Sequence, residues 1–300
     1  MSFPSGQSVS VEVQFSLHGA SPGAFAEHPP PDATDRQSAS DTDQAQQALN
    51  ASPIDTMRKP IQRIMNQWSK LAIRRHLPGV VEEVAEYAKK SNTTGTQWIT
   101  LWMAVRIILK QKPQWILESG TGSSTLVLAA AVAWLRDKNP GYEGRIVSME
   151  SVPEWHQIAT RNLPEKYKNT VEIVLGPREK YEVAMFRGYI HSNIPQHDYT
   201  FVLLDGPAFQ DDHGVAFCAD VFKAMELSSA PVVYGVSDGR ASSVMVIQQL
   251  FGVKAARYWH GLYAAHFALP KTDLKDSKLN TPKDFKASLS GRLEFIKFRR

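Results

Sequence analysis

The sequence predicts an α/β protein whose core is a mostly parallel, doubly wound sheet. From Gln114 onward, short apolar runs alternate with amphipathic stretches, which is typical of parallel strands joined by crossover helices. A loop with two glycines follows the first of these strands, and acidic residues follow the second and the fourth. Because ligands bind at the carboxyl ends of parallel strands, these observations also predict a ligand site there.

The strands and helices of this predicted main domain occupy residues 113–300. Strands are predicted over residues 115–118, 145–150, 171–175, 199–205 and 231–236. Helices are predicted over residues 123–138, 153–166, 179–189, 215–227 and 241–251. Strand-like residues around Gly261 and a terminal strand over 292–298 complete a sheet that we expect to have seven strands.

Two segments precede this domain. Residues 1–52 carry six acids and one base and are rich in Ser, Pro, Ala, Gln and Asp, so we expect a disordered acidic tail. Residues 53–112 are predicted to form three helices as a helical cap over the main domain.

The first helix of the predicted cap has an apolar stripe and a strongly basic surface. No acidic residue occurs between Thr56 and Val81. We expect the stripe to pack on the main domain, and the alternative is a basic amphipathic helix that binds a membrane or an acidic partner. The stripe consists of Ile61, Ile64, Met65, Trp68, Leu71 and Ala72.

Composition excludes several classes of protein. The single cysteine, Cys218, excludes a disulfide framework and a Cys-based zinc site, and its apolar surroundings predict a buried thiol. No apolar run reaches the length of a membrane-spanning helix, and no secretory signal is visible, so a cytoplasmic location is expected. Residues 53–300 carry 33 bases and 24 acids. We interpret this excess as ordinary surface charge and expect no nucleic-acid partner.

The glycine loop over residues 118–122 is the first candidate for a cofactor site. Gly120 and Gly122 let backbone N–H groups approach a ligand, and the start of the next helix adds further donors. A dinucleotide site would need a third glycine where Thr125 stands, which argues against a NAD-dependent oxidoreductase. Glu118 would repel two phosphates and therefore favours a zwitterionic ligand with an amine. The alternative for Glu118 is a solvated residue at the strand end.

Three further residues are candidates for the same crevice. Glu150 ends the second strand, where a carboxylate can accept hydrogen bonds from both ribose hydroxyls of an adenosine. Asp205 follows four apolar residues, and His213 lies in the loop after it as a candidate general base. The alternatives are a solvent-facing Glu150, a turn-forming Asp205 and a structural His213.

Three segments carry a resemblance to a known family. The run Ile116-Leu-Glu-Ser-Gly-Thr-Gly-Ser-Ser-Thr-Leu-Val-Leu-Ala129 resembles the first motif of class I S-adenosylmethionine-dependent methyltransferases. The run Val147-Ser-Met-Glu-Ser-Val-Pro-Glu-Trp155 resembles the ribose-binding segment, and Val202-Leu-Leu-Asp-Gly-Pro207 resembles the fourth-strand motif. Together, these motifs are most similar to those of small-molecule O-methyltransferase-like and uncharacterised members of this family. The resemblance implies a Rossmann-like fold.

The resemblance also implies a cofactor, S-adenosylmethionine, and roles for individual residues. By it, Glu118, Gly120 and Gly122 contact the methionine part and the adenosine, and Glu150 binds the ribose hydroxyls. Asp205 binds the methionine amine or lies at the substrate edge. The implied reaction is methyl transfer to a small-molecule hydroxyl or carboxyl acceptor, with Asp205 or His213 as catalytic residues. The basic loop over residues 271–287 suggests an anionic acceptor.

Departures from the family pattern keep alternatives open. Ser124 stands where many relatives have a third glycine. Some relatives hold a divalent cation between an Asp after the fourth strand and an acidic pair after the fifth. Here Asp205 and Asp238 are present but Gly239 follows, so Mg²⁺ is disfavoured and no metal site is predicted. The alternatives are a non-catalytic cofactor-binding or regulatory module, or a peripheral binder acting through helix 58–75. The oligomeric state stays open.

Overall fold

The computed structural model describes two units. It describes residues 13–14, 53–91, 96–184, 186–206, 210–211, 214–215, 217–272 and 297–298. One unit, 1–63 with 293–300, contains a two-residue antiparallel pair between Val13–Gln14 and Lys297–Phe298. The other unit, 64–292, contains the sheet and the candidate site. The rest of the predicted acidic tail lies outside the described residues.

The described residues contain seven α-helices and nine strands of four or more residues. The helices are α1 (Pro53–His76), α2 (Val80–Lys90), α3 (Trp98–Gln111), α4 (Ser123–Lys138), α5 (Pro153–Asn162), α6 (Asp220–Leu227) and α7 (Ala241–Phe251). The strands are β1 (Trp115–Ser119), β2 (Arg145–Glu150), β3 (Val171–Leu175), β4 (Arg178–Val183), β5 (Phe186–His191), β6 (Tyr199–Leu204), β7 (Val232–Ser237), β8 (Ala256–Trp259) and β9 (Ala264–Pro270).

The main sheet has seven strands in the order β8-β9-β7-β6-β1-β2-β3. The five strands from β7 to β3 are parallel, and β8 and β9 complete the sheet as antiparallel strands. The chain runs outward from β1 through β2 to β3, and then outward on the other side from β6 to β7. The strand order therefore reverses between β1 and β6, which opens a ligand crevice at their carboxyl ends. The predicted Rossmann-like fold class is confirmed.

The core follows from the alternation of side chains along the strands. Ile116, Phe201 and Leu203 belong to one buried cluster with apolar residues of α2, α3 and α4. Their neighbours Leu117 and Val202 are fully buried as well and point to the opposite face. Burial on both faces explains why these strands are continuous apolar runs. Helices α2 and α3 pack directly on α4, and α3 also contacts β7 and β9, so they are part of the core beside the sheet.

The segment predicted as a helix over 179–189 is instead an antiparallel hairpin. Strands β4 and β5 pair from Arg178 opposite His191 to Val183 opposite Phe186. Ala184 has a φ of 51° at the turn, which reverses the chain sharply. Tyr181 and Val183 alternate with charged residues in β4, and β5 is rich in aromatic and β-branched residues, which favours strands. The predicted helix was wrong because charged residues between the apolar ones imitated an amphipathic helix.

Other boundaries also differ from the prediction, and the helix predicted over residues 153–166 ends at Asn162 in α5. Helix α6 begins at Asp220, five residues after the predicted start, because the segment before it pairs with β5 through Tyr189 and Cys218. The last two strands of the sheet, β8 and β9, both come from residues 255–270, on either side of Gly261. The predicted terminal strand contributes no strand to this sheet, since the part of it that is described, Lys297–Phe298, pairs elsewhere.

Helix α1 turns a different face to the core from the predicted one. The buried side chains of this helix and of the residue that follows it are Ser69, Ile73 and Leu77, at intervals of four residues. Trp68 and Leu71, members of the predicted stripe, are 66% and 54% exposed. The expectation that this stripe packs on the main domain is therefore wrong. No helix in the described part of the chain combines the length and apolar character needed to cross a bilayer.

Candidate functional site

A crevice of about 580 Å³ lies at the carboxyl ends of β1, β2 and β6. This volume is within the range of roughly 300–1,000 Å³ that is usual for small-molecule sites. Its floor is the glycine loop after β1, and its walls come from the start of α3 and from the segments after β2, β6 and β7. Polar residues of the lining include Thr96, Gln97, Thr121, Glu150, His191, Asp205, Asp238 and Arg240.

Two glycines bring the floor of the crevice together. Gly120 has a φ of 95°, a left-handed conformation that glycine adopts without strain. A Cβ at Gly120 would lie 3.2 Å from the carbonyl oxygen of Asp205, and one at Gly206 would lie 3.1 Å from Cα of Gly120. The loop after β1 therefore touches the end of β6 backbone to backbone, with no room for side chains between them.

Glu118 holds this loop from beneath. Its side chain is fully buried, and its Oε2 accepts hydrogen bonds from Thr125 Oγ1 at 2.6 Å and from Ser148 Oγ at 2.5 Å. Gly122 donates its backbone N–H to Thr125 Oγ1 at 3.1 Å. Thr125, which stands where a dinucleotide site has a glycine, thus links the loop to Glu118 and to the first turn of α4.

Burial raises the pKa of Glu118 to about 7, although the hydroxyl groups of Ser124, Ser148 and Thr125 act in the opposite direction. Its second oxygen, Oε1, has no hydrogen-bonding partner among the described residues. Glu118 is not part of the crevice lining, so its predicted contact with a cofactor stays a prediction. The structural role of this carboxyl group is to hold the glycine loop in position.

Glu150 is the carboxylate that reaches the crevice beside the loop. Its Oε1 accepts hydrogen bonds from the backbone N–H groups of Ser151 and Val152 at 2.8 and 3.0 Å, and its Oε2 accepts one from Thr121 Oγ1 at 3.0 Å. These bonds fix the carboxylate at the end of β2, facing the loop. A ligand hydroxyl can bind Oε2 directly, or displace the flexible hydroxyl of Thr121.

Apolar side chains are exposed next to Glu150. Val152 and Trp155 line the crevice and are 38% and 36% exposed. Large apolar side chains that stay open to solvent in a concave site are ready to contact a flat, apolar ligand group. The loop, Glu150 and these two side chains form the part of the crevice that we call the loop half.

The opposite side of the crevice, which we call the polar half, is built from charged side chains. Arg240 Nε lies 3.1 Å from Asp238 Oδ1, and an Arg240 terminal nitrogen lies 3.7 Å from Asp205 Oδ1 and also donates to the Asp205 carbonyl. The Asp205 side chain is partly open to solvent, but desolvation within the crevice and the charge of Asp238 raise its pKa, and Arg240 opposes that shift. Burial likewise raises the pKa of Asp238.

The polar half is a poor fit for a divalent cation. Both carboxylates that could bind Mg²⁺ face the guanidinium group of Arg240, whose positive charge would repel the metal. Among the described residues, no group of three or more His, Cys, Asp or Glu side chains is arranged to hold a metal ion. We therefore derive no chemical step through a metal.

A buried His–Asp pair in the crevice wall, which we count as part of the polar half, was missed by the sequence reasoning. His191 Nδ1 lies 2.6 Å from Asp220 Oδ2, and the His191 backbone N–H donates to Asp220 Oδ1 at 2.8 Å. Both side chains are almost completely buried, yet His191 lines the crevice. A carboxylate that binds one ring nitrogen fixes the orientation of the imidazole.

One signal in the sequence could have indicated this pair. Asp220 is the single charged residue in the otherwise apolar run over residues 215–222, and a buried carboxylate needs a partner. His213, the histidine that we did predict, lies outside the described residues. Cys218 is fully buried, and burial raises the pKa of its thiol.

Comparisons with known proteins add solved structures with similar folds. No family model matches the chain, and no curated protein matches it. Similar structures include an O-methyltransferase from Bacillus cereus in complex with S-adenosylhomocysteine, at 19% identity and a TM-score of 0.40 over 66% of this chain and 91% of that one. A methyltransferase of Podospora anserina bound to S-adenosylhomocysteine matches at 16% identity and a TM-score of 0.34 over 76% of each chain.

A third example is a methyltransferase from Geobacter sulfurreducens, at 15% identity and a TM-score of 0.36, which covers 64% of this chain and 89% of its own. Identities and TM-scores at this level carry no functional argument. The geometry of the crevice is therefore the basis for assigning a function.

Proposed function

We propose that the protein transfers a methyl group from S-adenosylmethionine to a hydroxyl group of a small molecule. The observation that carries this proposal is the combination found in the loop half. Glu150 is fixed at the end of β2 as an acceptor, and the exposed apolar surfaces of Val152 and Trp155 lie beside it. An adenosine needs both features, acceptors for its ribose hydroxyls and an apolar contact for its adenine.

The charges of the crevice support a cationic ligand. Among the described residues, the lining carries the three carboxylates of Glu150, Asp205 and Asp238 and the guanidinium of Arg240. A sulfonium and an ammonium group are stabilised by such an excess of acids, and Asp205 is the proposed partner of the amine. The backbone N–H groups at the start of α4 would receive the ligand's carboxylate. This balance supports a neutral acceptor, whereas the basic loop that suggested an anionic one lies, beyond residue 272, outside the described residues.

The His191–Asp220 pair favours a hydroxyl acceptor over a carboxyl one. Bound S-adenosylmethionine supplies an activated methyl group, which an oxygen nucleophile can take up directly. A hydroxyl group must lose its proton in this reaction, whereas a carboxylate has none to lose. In our proposal His191 Nε2 accepts that proton, and Asp220 holds the ring in position and stabilises the charged imidazolium. Leu101 and Leu203 add apolar surface to the lining, which helps to exclude water.

The two residues that the sequence predicted to be catalytic are Asp205 and His213. Asp205 lies in the crevice, and its proposed role is to bind the amine. His213 stays a prediction, because it lies outside the described residues. A cytoplasmic location is also part of the proposal and is supported by the single, buried Cys218.

Calorimetry with S-adenosylhomocysteine tests the cofactor. We expect binding, and we expect Glu150→Gln to weaken it by about tenfold to a hundredfold, as is usual for loss of hydrogen bonds to a charged group. Glu154→Gln is the matched control, because Glu154 is exposed in the first turn of α5, four residues after Glu150, and does not line the crevice. Absence of binding, or equal effects of the two variants, would contradict the proposal.

Turnover tests the reaction. We expect methyl transfer to a member of a panel of small alcohols and phenols, with S-adenosylhomocysteine as the second product. Cofactor binding without turnover of any hydroxyl or carboxyl acceptor would instead identify a non-catalytic module with the same fold.

A further inference from the structure

Helix α1 presents an apolar face to solvent. Ile64, Met65, Trp68 and Leu71 are 57%, 40%, 66% and 54% exposed, and their spacing of three and four residues places them on one side of the helix. We call these four residues the α1 face. Outside it, the large apolar side chains that are comparably exposed in the described part of the chain are Ile61 and the two in the crevice.

The α1 face lies on a helix that is firmly anchored by its other side. Asn66 Oδ1 accepts the backbone N–H of Ile99 at 3.2 Å, and Ile73 and Leu77 are buried in the core cluster. The Lys70 ammonium lies 5.6 Å from the centroid of the Trp98 ring. Since these contacts hold the helix in place, the exposed side chains form a fixed surface rather than an unpacked segment.

The charged side chains of α1 itself are all basic after Thr56. No acidic residue occurs between Thr56 and Val81. Arg75 follows Leu71 by four residues and Trp68 by seven, so it continues the α1 face at its carboxyl end, and it is exposed. Arg74 is exposed beside it and forms an ion pair with Glu82 at 2.7 Å.

This combination of apolar and basic side chains favours some binding partners of the α1 face over others. In a two-fold dimer the same surface meets itself, so basic side chains would face basic side chains. An anionic lipid surface matches both features, because apolar side chains enter the boundary of the acyl chains while basic ones bind the headgroups. We propose that the α1 face docks the protein on an anionic membrane surface.

The docking surface is close in the fold to the mouth of the crevice. Asn66 on α1 binds the backbone of Ile99 in the first turn of α3, and Thr96 and Gln97, just before that turn, line the crevice. Docking would therefore hold the crevice beside the lipid headgroups. The proposal itself does not depend on the proposed methyl transfer, since it rests on the α1 face alone.

Vesicle co-sedimentation of the full chain tests the proposal. We expect binding to mixed phosphatidylserine–phosphatidylcholine vesicles, weaker binding as salt increases, and little binding to pure phosphatidylcholine. The double variant Trp68→Ser with Leu71→Ser should lower binding by at least about tenfold, because both side chains supply the apolar contact. Both residues are exposed, and circular dichroism verifies that the variant is folded.

A pair of charge-reversal variants isolates the electrostatic contribution to vesicle binding. Arg75→Glu should weaken binding to the mixed vesicles by about tenfold. Arg161→Glu is the matched control, because Arg161 is exposed in the last turn of α5, away from the α1 face, and should have little effect. Equal effects of the two reversals, or equal binding to neutral vesicles, would overturn the role of anionic lipid.

Two further results would overturn the proposal as a whole. One is absence of binding to either vesicle. The other is a dimer, detected by light scattering, that the double variant dissociates while vesicle binding is unchanged, which would assign the α1 face to a second copy of the chain.

Discussion

The two halves of the crevice are built in different ways. The loop half comes from short, continuous stretches of chain, the glycine loop over residues 118–122 and the end of β2 at Glu150. The polar half brings together single side chains from distant elements, such as His191 at the end of β5 and Asp220 at the start of α6. A site formed by a continuous stretch of backbone can therefore be recognised from a local sequence motif. A site formed by side chains from distant elements depends instead on the topology of the fold.

Among the substitutions that distinguish the two halves of the crevice, Gly120→Val should have the largest effect. The new side chain would meet the backbone of Asp205 and would hold a positive φ, and strain and crowding together cost about 2–6 kcal/mol. We expect loss of measurable binding of S-adenosylhomocysteine by calorimetry, with a lower melting temperature.

Gly141→Val is the matched control for that variant. Gly141 also has a positive φ, 88°, but a Cβ at this position would meet nothing within 4 Å, so the variant reports strain without crowding. Its binding of S-adenosylhomocysteine should be normal. If Gly141→Val weakened binding as much as Gly120→Val, the close approach of the two loops would not be the cause.

The next effect concerns the carboxyl group beneath the loop half. The pKa of Glu118 is raised from 4.5 to about 7 in the folded protein, so the folded state keeps a proton that the unfolded state releases. Stability should therefore fall as the pH rises from about 4.5 to about 7, by roughly 3 kcal/mol from this group. Glu118→Gln should remove that part of the loss.

Urea unfolding of both proteins at pH 5 and pH 8, without cofactor, measures this difference. The other groups with raised pKa values are present in both proteins, and the variant affects Asp205 only by removing the charge of Glu118, which contributes to the raised pKa of Asp205. Parallel stability curves for the two proteins would show that Glu118 is ionised in the folded state.

A smaller effect, confined to the polar half, is expected for His191→Gln. Loss of a general base lowers rates by on the order of a hundredfold or more. Affinity for S-adenosylhomocysteine should be unchanged, because the loop half is intact. Asp220→Asn should lower the rate while leaving that affinity unchanged as well. A variant with normal turnover would remove His191 from the reaction, and one with weak cofactor binding would place it in the loop half instead.

The sequence was informative where short-range patterns decide the structure. Helices α4 and α7 begin and end at the predicted residues, because a turn-forming glycine or a strand end marks their starts and their apolar residues recur regularly. The two glycines and Glu150 were also found, since backbone geometry and strand ends dictate them.

Other features could not be found because they depend on contacts distant in sequence. The β4–β5 hairpin is stabilised by pairing with the segment before α6, for example by the Tyr189 N–H donating to the Phe217 carbonyl at 2.9 Å. His191 acquires its partner only through that pairing. The exposed α1 face was misjudged for a similar reason, since the sequence does not reveal that Ser69 and Ile73 form the better match to the core.

The close approach of Gly120 and Gly206 has a consequence for how such a crevice can diversify. A floor made of backbone has no rotamers, so it cannot be reshaped by exchanging side chains, and a substitution there disrupts it instead. New acceptors must then be accommodated by the walls, at positions such as Gln97 and Leu101 at the start of α3. A library that varies those wall positions and keeps both glycines is therefore the most direct way to change which acceptor the crevice binds.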